Sequence, residues 1–119
     1  MGLDFDKDKP IYQQLIERLS GDIIRGVRKP GDKLPSVREY AIDVGVNANT
    51  VQRVYKEMES MELTETRRGQ GSFITENEER LQLLRDSKKT DLVKSFIANV
   101  EAYGFSKTEI MELVRREIQ

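Results

Sequence analysis

The chain has 119 residues, of which 37% are hydrophobic and 34% are charged, and its formal net charge is −1. This length suits one compact domain with a short appendage, and the composition is typical of a soluble, helix-rich protein. The chain contains neither histidine nor cysteine, which excludes Ser-His pairs, cysteine nucleophiles, and imidazole or thiolate metal ligands. We therefore expect no enzyme activity, no metal and no cofactor.

The sequence gives no sign of a membrane segment. No apolar run approaches spanning length, and the acidic N-terminus lacks a signal-peptide core. We therefore expect a cytoplasmic protein that does not contact a membrane. The near-neutral net charge also argues against simple electrostatic binding to nucleic acid. Any DNA binding must therefore depend on cations at defined positions.

The first segment is predicted to be one helix behind a short arm. Residues 1–9 are acidic and are interpreted as a loosely held arm, and Pro10 occupies a first-turn position where its missing N–H costs nothing. Gly26 is predicted to end the helix, and residues 28–31 form a basic turn. Residues 33–34 are too few for more than a stub of strand. The apolar positions recur at helical spacing: Ile11, Tyr12, Leu15, Ile16, Leu19 and Ile23.

Two helices joined by a short turn follow. Ser36 and Glu39 form a capping-box signature that opens a short helix. Gly45 turns the chain, and Asn47 is predicted to cap a second helix that runs to Met61. A helix of about two turns, a turn containing glycine and a longer helix are typical of a helix-turn-helix.

The helix predicted over residues 47–61 has two distinct faces. One face is apolar and suits a core: Val51, Val54, Tyr55, Met58 and Met61. The opposite face carries amides and cations: Asn49, Gln52, Arg53, Lys56 and Ser60. Such a mixture suits base edges and phosphates, although taken alone it is equally typical of an ordinary solvated helix face.

A basic hairpin is predicted directly behind the second helix. Residues 63–66 and 72–75 read as two short strands joined by Arg-Arg-Gly-Gln-Gly at residues 67–71. The glycines permit positive φ, and the arginines can project toward a phosphate or a minor groove. In isolation this is a solubilising turn, but behind a helix-turn-helix it indicates the wing of a winged helix.

The remaining residues predict two helices. The first carries apolar residues from Leu81 to Tyr103 at helical spacing, and the polar interval 85–91 is expected to kink or break it. Gly104 ends it, and a second capping box at residues 106–109 opens the last helix. Two such helices cannot enclose a core by themselves. They must pack on the first domain, on a second copy of the chain, or on both.

The residues of these motifs and their order along the chain resemble the DNA-binding domain of the GntR family of bacterial transcription regulators. The similarity runs from Pro-Ile-Tyr-Gln-Gln-Leu through Gly-Asp-Lys-Leu-Pro-Ser-Val-Arg-Glu and Asn-Ala-Asn-Thr-Val-Gln-Arg-Val-Tyr-Lys-Glu to Arg-Arg-Gly-Gln-Gly-Ser-Phe-Ile. Ala48 stands where a proline is common, and Gln70 where a lysine is common. The short tail resembles the YtrA-like subfamily, whose helical tails serve dimerisation and whose members commonly repress operons that include ABC transporters.

This resemblance implies a mainly α fold with a small β-hairpin wing. A winged helix-turn-helix DNA-binding domain is expected over residues 1–75 and a C-terminal α-helical dimerisation tail over residues 76–119. The implied DNA-binding residues are Arg38, Asn49, Thr50, Gln52, Arg53, Lys56, Arg67, Arg68, Gly69 and Gln70. The implied dimerisation residues are Leu92, Phe96, Ile97, Val100, Ile110 and Val114.

The expected function is sequence-specific DNA binding by a transcriptional regulator. The default is a repressor that binds double-stranded DNA at an inverted repeat as a homodimer. The partners left open include an unidentified small-molecule effector. If such a ligand acts, it must shift the relative placement of two DNA-binding domains, and the hinge for that shift would lie near residues 75–80. One alternative is a winged-helix protein-protein adaptor, although such modules usually lose the cations that this chain keeps. An enzyme built on Glu57 and Glu59 is disfavoured because side chains two residues apart on a helix diverge.

Overall fold

The structure is a computed structural model that describes residues 3–119. Within these residues the chain forms five helices and one two-stranded sheet: α1 (Ile11–Arg25), α2 (Val37–Val44), α3 (Ala48–Ser60), β1 (Thr64–Arg67), β2 (Gly71–Ile74), α4 (Glu78–Ala102) and α5 (Lys107–Ile118). This order confirms the predicted fold class, which is mainly α with a small hairpin behind a helix-turn-helix. The chain divides into two compact units, of which the first ends at Leu84 and the second runs from Arg85 to Gln119.

Helix α1 begins one residue after the predicted start and ends where predicted. Pro10 precedes its first residue, and Gly26 closes it in the left-handed conformation at φ 79°, where glycine lacks the steric penalty of other residues. The buried side of α1 consists of Leu15, Leu19 and Ile23. The helical spacing of the apolar positions therefore located its inner face correctly, except that Ile11 in the first turn is 43% exposed.

The N-terminal arm is held more firmly than predicted. The backbone N–H of Leu3 donates to the carbonyl of Val44 at 3.2 Å, and Leu3 and Phe5 are half-buried against the core. The side-chain amide of Gln14 donates to the carbonyl of Asp6 at 2.7 Å. The prediction of a loosely held arm was wrong for residues 3–9, because the two apolar side chains anchor it; residues 1 and 2 lie outside the described range.

The caps of the helix-turn-helix are those that the sequence predicted. The hydroxyl of Ser36 accepts from the N–H of Glu39 at 3.1 Å, and the Glu39 carboxylate accepts from the N–H of Ser36 at 2.9 Å. The hydrogen bond that the Glu39 carboxylate accepts from the backbone of Ser36 is the main reason that the pKa of Glu39 lies below its ordinary value, and the interaction of the carboxylate with the Ser36 side chain adds to it. The side chain of Asn47 accepts from the N–H of Asn49 at 2.7 Å. Both helices therefore begin at defined residues.

The core of the first unit lies between α1, α2, α3 and the sheet. Its buried apolar residues are Leu15, Leu19, Ile23, Leu34, Tyr40, Ala41, Val44, Val51, Val54, Tyr55, Met58, Leu63 and Ile74. The hydroxyl of Tyr55 donates to the carbonyl of Pro35 at 2.7 Å, and burial raises its pKa. This bond fixes α3 against the segment that leads into α2.

The hairpin is short and regular. Strands β1 and β2 are antiparallel, with Thr64 opposite Ile74 and Arg67 opposite Gly71. The predicted strand stub exists as a single bridge between Lys33 and Phe73. It is extended by a hydrogen bond from the N–H of Leu34 to the carbonyl of Ser72 at 2.8 Å. The loop before α2 thus supports the base of the hairpin.

The chain that leaves the hairpin is fastened to the first unit. Arg80 donates from Nε to the carbonyl of Met61 at 2.8 Å, and the side chain of Asn77 accepts from the N–H of Arg80 at 3.1 Å. Leu81 and Leu84 are half-buried against the core. The compact unit therefore extends to Leu84, whereas the sequence-based division after residue 75 separates the expected functions and stays a prediction.

The second unit contains most of α4 and all of α5. Helix α4 runs without interruption through residues 85–91, so the expectation of a break there was wrong. The interval contains neither glycine nor proline, its arginine and two lysines favour helix, and Lys89 pairs with Asp86 one turn away at 3.3 Å. The second capping box, Ser106 with Glu109, is present as predicted. Within residues 3–119, no helix is both long enough and apolar enough to cross a membrane.

Candidate nucleic-acid interface

The outer face of α3 presents polar side chains from a firmly anchored helix. Val51, Val54 and Met58 are fully buried on the inner face, so the outer face is held in place by packing. Four of the predicted DNA-binding residues are exposed on that outer face: Asn49, Gln52, Arg53 and Lys56. Thr50 is half-buried at the edge of the face. Within residues 3–119, the side chains of Asn49, Gln52 and Lys56 make no hydrogen bond or ion pair. Their donors and acceptors are therefore available to a partner.

Arg53 is the one cation of this face that is already oriented. The central carbon of its guanidinium group lies 3.6 Å from the centroid of the Tyr12 ring. Ile11 and Tyr12 of α1 line a depression of about 330 Å³ together with Asn49, Thr50 and Arg53 of α3. Tyr12 was not predicted as a site residue, because its spacing placed it only among the apolar positions of α1. No local pattern links a residue of α1 to one of α3, so the sequence carried no signal for this contact.

Arg38 stands at the start of α2 and is exposed. An exposed arginine on a helix can instead serve in a surface salt bridge. Among the described residues Arg38 forms no ion pair. Its guanidinium group is therefore open to an external anion.

The tip of the hairpin separates the two predicted wing arginines. The N–H of Gln70 donates to the carbonyl of Arg67 at 2.8 Å, and Gly69 has φ 75° at the third position of this turn, as a type II turn requires. Arg68, Gly69 and Gln70 are all exposed. The tip therefore projects Arg68, which has no ion pair among residues 3–119, beside a glycine that permits close approach of another backbone.

Arg67 is occupied within the hairpin itself. Its guanidinium carbon lies 4.1 Å from the centroid of the Phe73 ring, and its Nη2 atom lies 3.2 Å from the carboxylate of Glu65. The structure thus places Arg67 on the side of the hairpin and Arg68 at its tip. Of the two, Arg68 is the better placed to contact DNA.

Two glutamates of α3, Glu57 and Glu59, differ in their contacts. The carboxylate of Glu59 accepts from the N–H of Thr66 at 3.2 Å, which ties the end of α3 to β1. The side chain of Glu57 is exposed.

The second unit carries an apolar surface. Leu92, Phe96 and Ile97 are 58%, 47% and 43% exposed, whereas the other three predicted dimerisation residues are half-buried: Val100, Ile110 and Val114. All of these except Leu92 line a hollow of about 850 Å³ between α4 and α5. The hollow also includes apolar residues that the sequence analysis did not assign to dimerisation: Val93, Phe105, Met111 and Ile118.

Two curated bacterial proteins are similar to this chain over most of its length. The HTH-type transcriptional regulator YhcF of Bacillus subtilis is 42% identical over 115 residues, which cover 97% of this chain and 95% of that protein. The HTH-type transcriptional repressor YtrA of the same organism is 38% identical over 105 residues, covering 83% and 81% of the two chains.

Solved structures show the same architecture. A GntR family transcriptional regulator from Listeria monocytogenes superimposes with a TM-score of 0.89 at 38% identity, covering 94% of this chain and 98% of that one. The structure of AraR(DBD) in complex with operator ORE1 superimposes with a TM-score of 0.54 at 28% identity, covering 63% and 89%.

Most of the first unit matches a known protein family. Residues 11–74, which contain α1, the helix-turn-helix and the hairpin, match the bacterial regulatory proteins of the gntR family. The resemblance inferred from the motifs is thereby confirmed. This chain belongs to the GntR family and is a transcriptional regulator with a winged helix-turn-helix DNA-binding domain.

Proposed function

We propose that this regulator is a repressor that binds an inverted-repeat operator as a homodimer. The observation that carries the proposal is the outer face of α3, where Asn49, Gln52 and Lys56 are exposed with no partner in the described chain. A buried helix face holds this polar face rigidly. Rigid presentation of amides and cations is what sequence reading in a major groove requires.

In the proposed complex the N-terminal half of α3 enters the major groove. A helix fits this groove, and recognition helices of helix-turn-helix proteins contact bases through their N-terminal residues. Asn49 and Gln52 then hydrogen-bond base edges, and Arg53 and Lys56 bind bases or phosphates. Thr50, at the edge of the face, binds a phosphate.

Two further contacts fix the position of the domain on the duplex. Arg38 binds a base or a phosphate beside the groove, since it is exposed and has no carboxylate partner in the described chain. At the wing, Arg68, Gly69 and Gln70 contact the minor groove. Arg67 is proposed to support the wing, because Phe73 and Glu65 already engage it.

The need for a second copy follows from affinity and from the tail. One domain offers only a few cations and base contacts, which is little for the roughly 10 nM or tighter binding typical of specific regulators. Residues 76–119 are proposed to dimerise through the apolar surface of α4 and α5, where Phe96 and Ile97 are about half exposed. Two copies related by twofold symmetry select an inverted repeat.

Repression is supported by one named relative. YtrA of Bacillus subtilis is described as an HTH-type transcriptional repressor and covers 83% of this chain. A small DNA-binding dimer represses most simply by occupying a site that RNA polymerase needs. The proposal therefore takes repression as the outcome of binding.

The test is selection of bound duplexes from a random library by the full chain at near-physiological salt. Enrichment of an inverted repeat is the expected result. Arg53→Ala should then weaken binding to the enriched sequence by about 1–3 kcal/mol. The matched control is Lys88→Ala, which removes an exposed cation of α4 outside the proposed site and should leave affinity unchanged. Recovery of only nonspecific, salt-sensitive binding would contradict the proposal and favour the adaptor alternative.

A further inference from the structure

Tyr12 forms a platform under Arg53. The distance of 3.6 Å from the guanidinium carbon to the ring centroid lies well within the ~6 Å range of cation-π contacts. The Tyr12 ring is half-buried and packs against the core, so its rotation is restricted. The contact joins the first turn of α1 to the exposed face of α3.

Stacking orients the guanidinium group and leaves its donors free. The five N–H groups of arginine lie in the guanidinium plane, whereas an aromatic ring contacts its flat face. A salt bridge would instead occupy two of these donors. Within residues 3–119, Arg53 has no ion pair and no hydrogen bond. The stack therefore restrains a flexible side chain without using the groups that recognise a base edge or a phosphate.

The direction of Arg53 supports the same conclusion. Glu57 lies one helical turn after Arg53 and is the carboxylate that helix geometry makes available to it. No ion pair forms between them in the described chain. Arg53 instead lines one depression with Asn49 and Tyr12. Its charge is held at the N-terminal half of α3, which is the half proposed to enter the groove.

We infer that Tyr12 is a positioning residue for DNA recognition, and that its ring holds the Arg53 guanidinium group in the orientation that binds the operator. This inference rests on the proposed function, because the contact of Arg53 with DNA is itself proposed. The ring acts by restraining Arg53 before binding, so less conformational entropy is lost when the contact with DNA forms.

The test is a double-mutant cycle on operator affinity with the full chain. Tyr12→Leu should weaken binding to the selected operator about three- to fivefold, the equivalent of an exposed cation-π contact. Tyr12→Phe keeps the ring and should bind as the unchanged chain does. In an Arg53→Ala background, Tyr12→Leu should cause no further loss.

A matched variant separates positioning from a general loss of packing. Ile16 lies one turn along α1 from Tyr12 and is also half-buried against the core. Ile16→Ala should lower the midpoint of urea unfolding but leave operator affinity unchanged for the folded protein. Equal losses of affinity in Ile16→Ala and Tyr12→Leu would overturn the inference.

The remaining outcomes distinguish this inference from the proposed function. If Arg53→Ala weakens binding while Tyr12→Leu does not, or if the two losses add, Tyr12 is not a positioning residue and the proposed site stands. If Tyr12→Phe is as weak as Tyr12→Leu, the hydroxyl rather than the ring acts, and the inference is also wrong. If Arg53→Ala binds normally, both the site assignment of Arg53 and the role of Tyr12 fail.

Discussion

The two units of this protein differ in how far their apolar residues are buried. In the first unit Leu15, Val51 and Met58 are fully buried, and the helices and hairpin enclose a core. In the second unit no residue of α5 is buried, and Phe96 of α4 remains 47% exposed. The first unit is thus complete as a packed fold, whereas the second presents a surface that gains stability when another apolar surface covers it.

The contrast agrees with the roles proposed for the two units. A closed core holds the outer face of α3 in place, because the apolar residues behind it are immobilised. An open apolar surface is suited to association. The following predictions test whether burial in the first unit and exposure in the second have these consequences.

The largest expected effect is on the core of the first unit. Leu15→Ala removes a fully buried side chain and should lower the free energy of unfolding by about 2–5 kcal/mol, because it leaves a cavity. Urea denaturation followed by circular dichroism measures this change. Leu83→Ala, at a side chain that is 60% exposed, should change stability by less than about 0.5 kcal/mol. Similar losses in the two variants would contradict the difference in burial between Leu15 and Leu83, which both belong to the first unit.

The second prediction concerns the apolar surface of the tail. Phe96→Asp places a charge in the hollow between α4 and α5, where it opposes burial against a second copy. The variant should sediment as a monomer and should bind the operator about 100-fold more weakly, because the two domains no longer bind as one ligand. Leu83→Asp is the control on the same helix and should remain dimeric. A dimer that survives Phe96→Asp would remove this surface from the interface.

The third prediction separates the two arginines of the hairpin. Arg68→Ala should weaken operator binding by about 1–3 kcal/mol without changing stability, because its side chain is exposed at the tip. Arg67→Ala should instead lower stability by about 0.5–1 kcal/mol, since it loses the contact with Phe73. Fluorescence anisotropy and urea unfolding measure the two quantities. The reverse pattern would show that Arg67, and not Arg68, contacts DNA.

The smallest expected effect is the pH dependence of the cap of α2. Hydrogen bonds from Ser36 lower the pKa of Glu39 below its ordinary value of 4.5. The ionised carboxylate therefore contributes stability above that value, and the contribution is lost as the pH falls through the lowered pKa. Urea midpoints between neutral and acidic pH should fall less steeply for Glu39→Gln than for the unchanged chain. Identical slopes would show that the cap is not linked to protonation.

Short-range sequence patterns predicted the helix caps and the exposed helix face. The two capping boxes, Ser36 with Glu39 and Ser106 with Glu109, formed as expected because their hydrogen bonds span only three residues. Helical spacing likewise identified the exposed face of α3. The C-terminal boundary of the first compact unit was harder to predict from the sequence, because the anchoring of Leu84 on the core depends on how the helices pack.

Contacts between distant segments were not predictable from the pattern. Nothing near Tyr12 indicates that its ring meets Arg53, and the division of roles between Arg67 and Arg68 appears only once Phe73 is placed opposite Glu65. Leu3 and Phe5 were overlooked for a similar reason, since two apolar residues in an acidic arm give no periodic signal. Patterning thus predicted the candidate site, and packing determined which of its side chains make no hydrogen bond or ion pair within residues 3–119.

The central claim is that the tail brings two reading domains to one inverted repeat. The most direct measurement compares the affinity and stoichiometry of the full chain on the selected inverted repeat with those on a duplex that contains a single half-site. We predict two chains per inverted repeat and binding to the half-site that is at least about 100-fold weaker. Equal affinity for both duplexes, with one chain bound to each, would contradict the account.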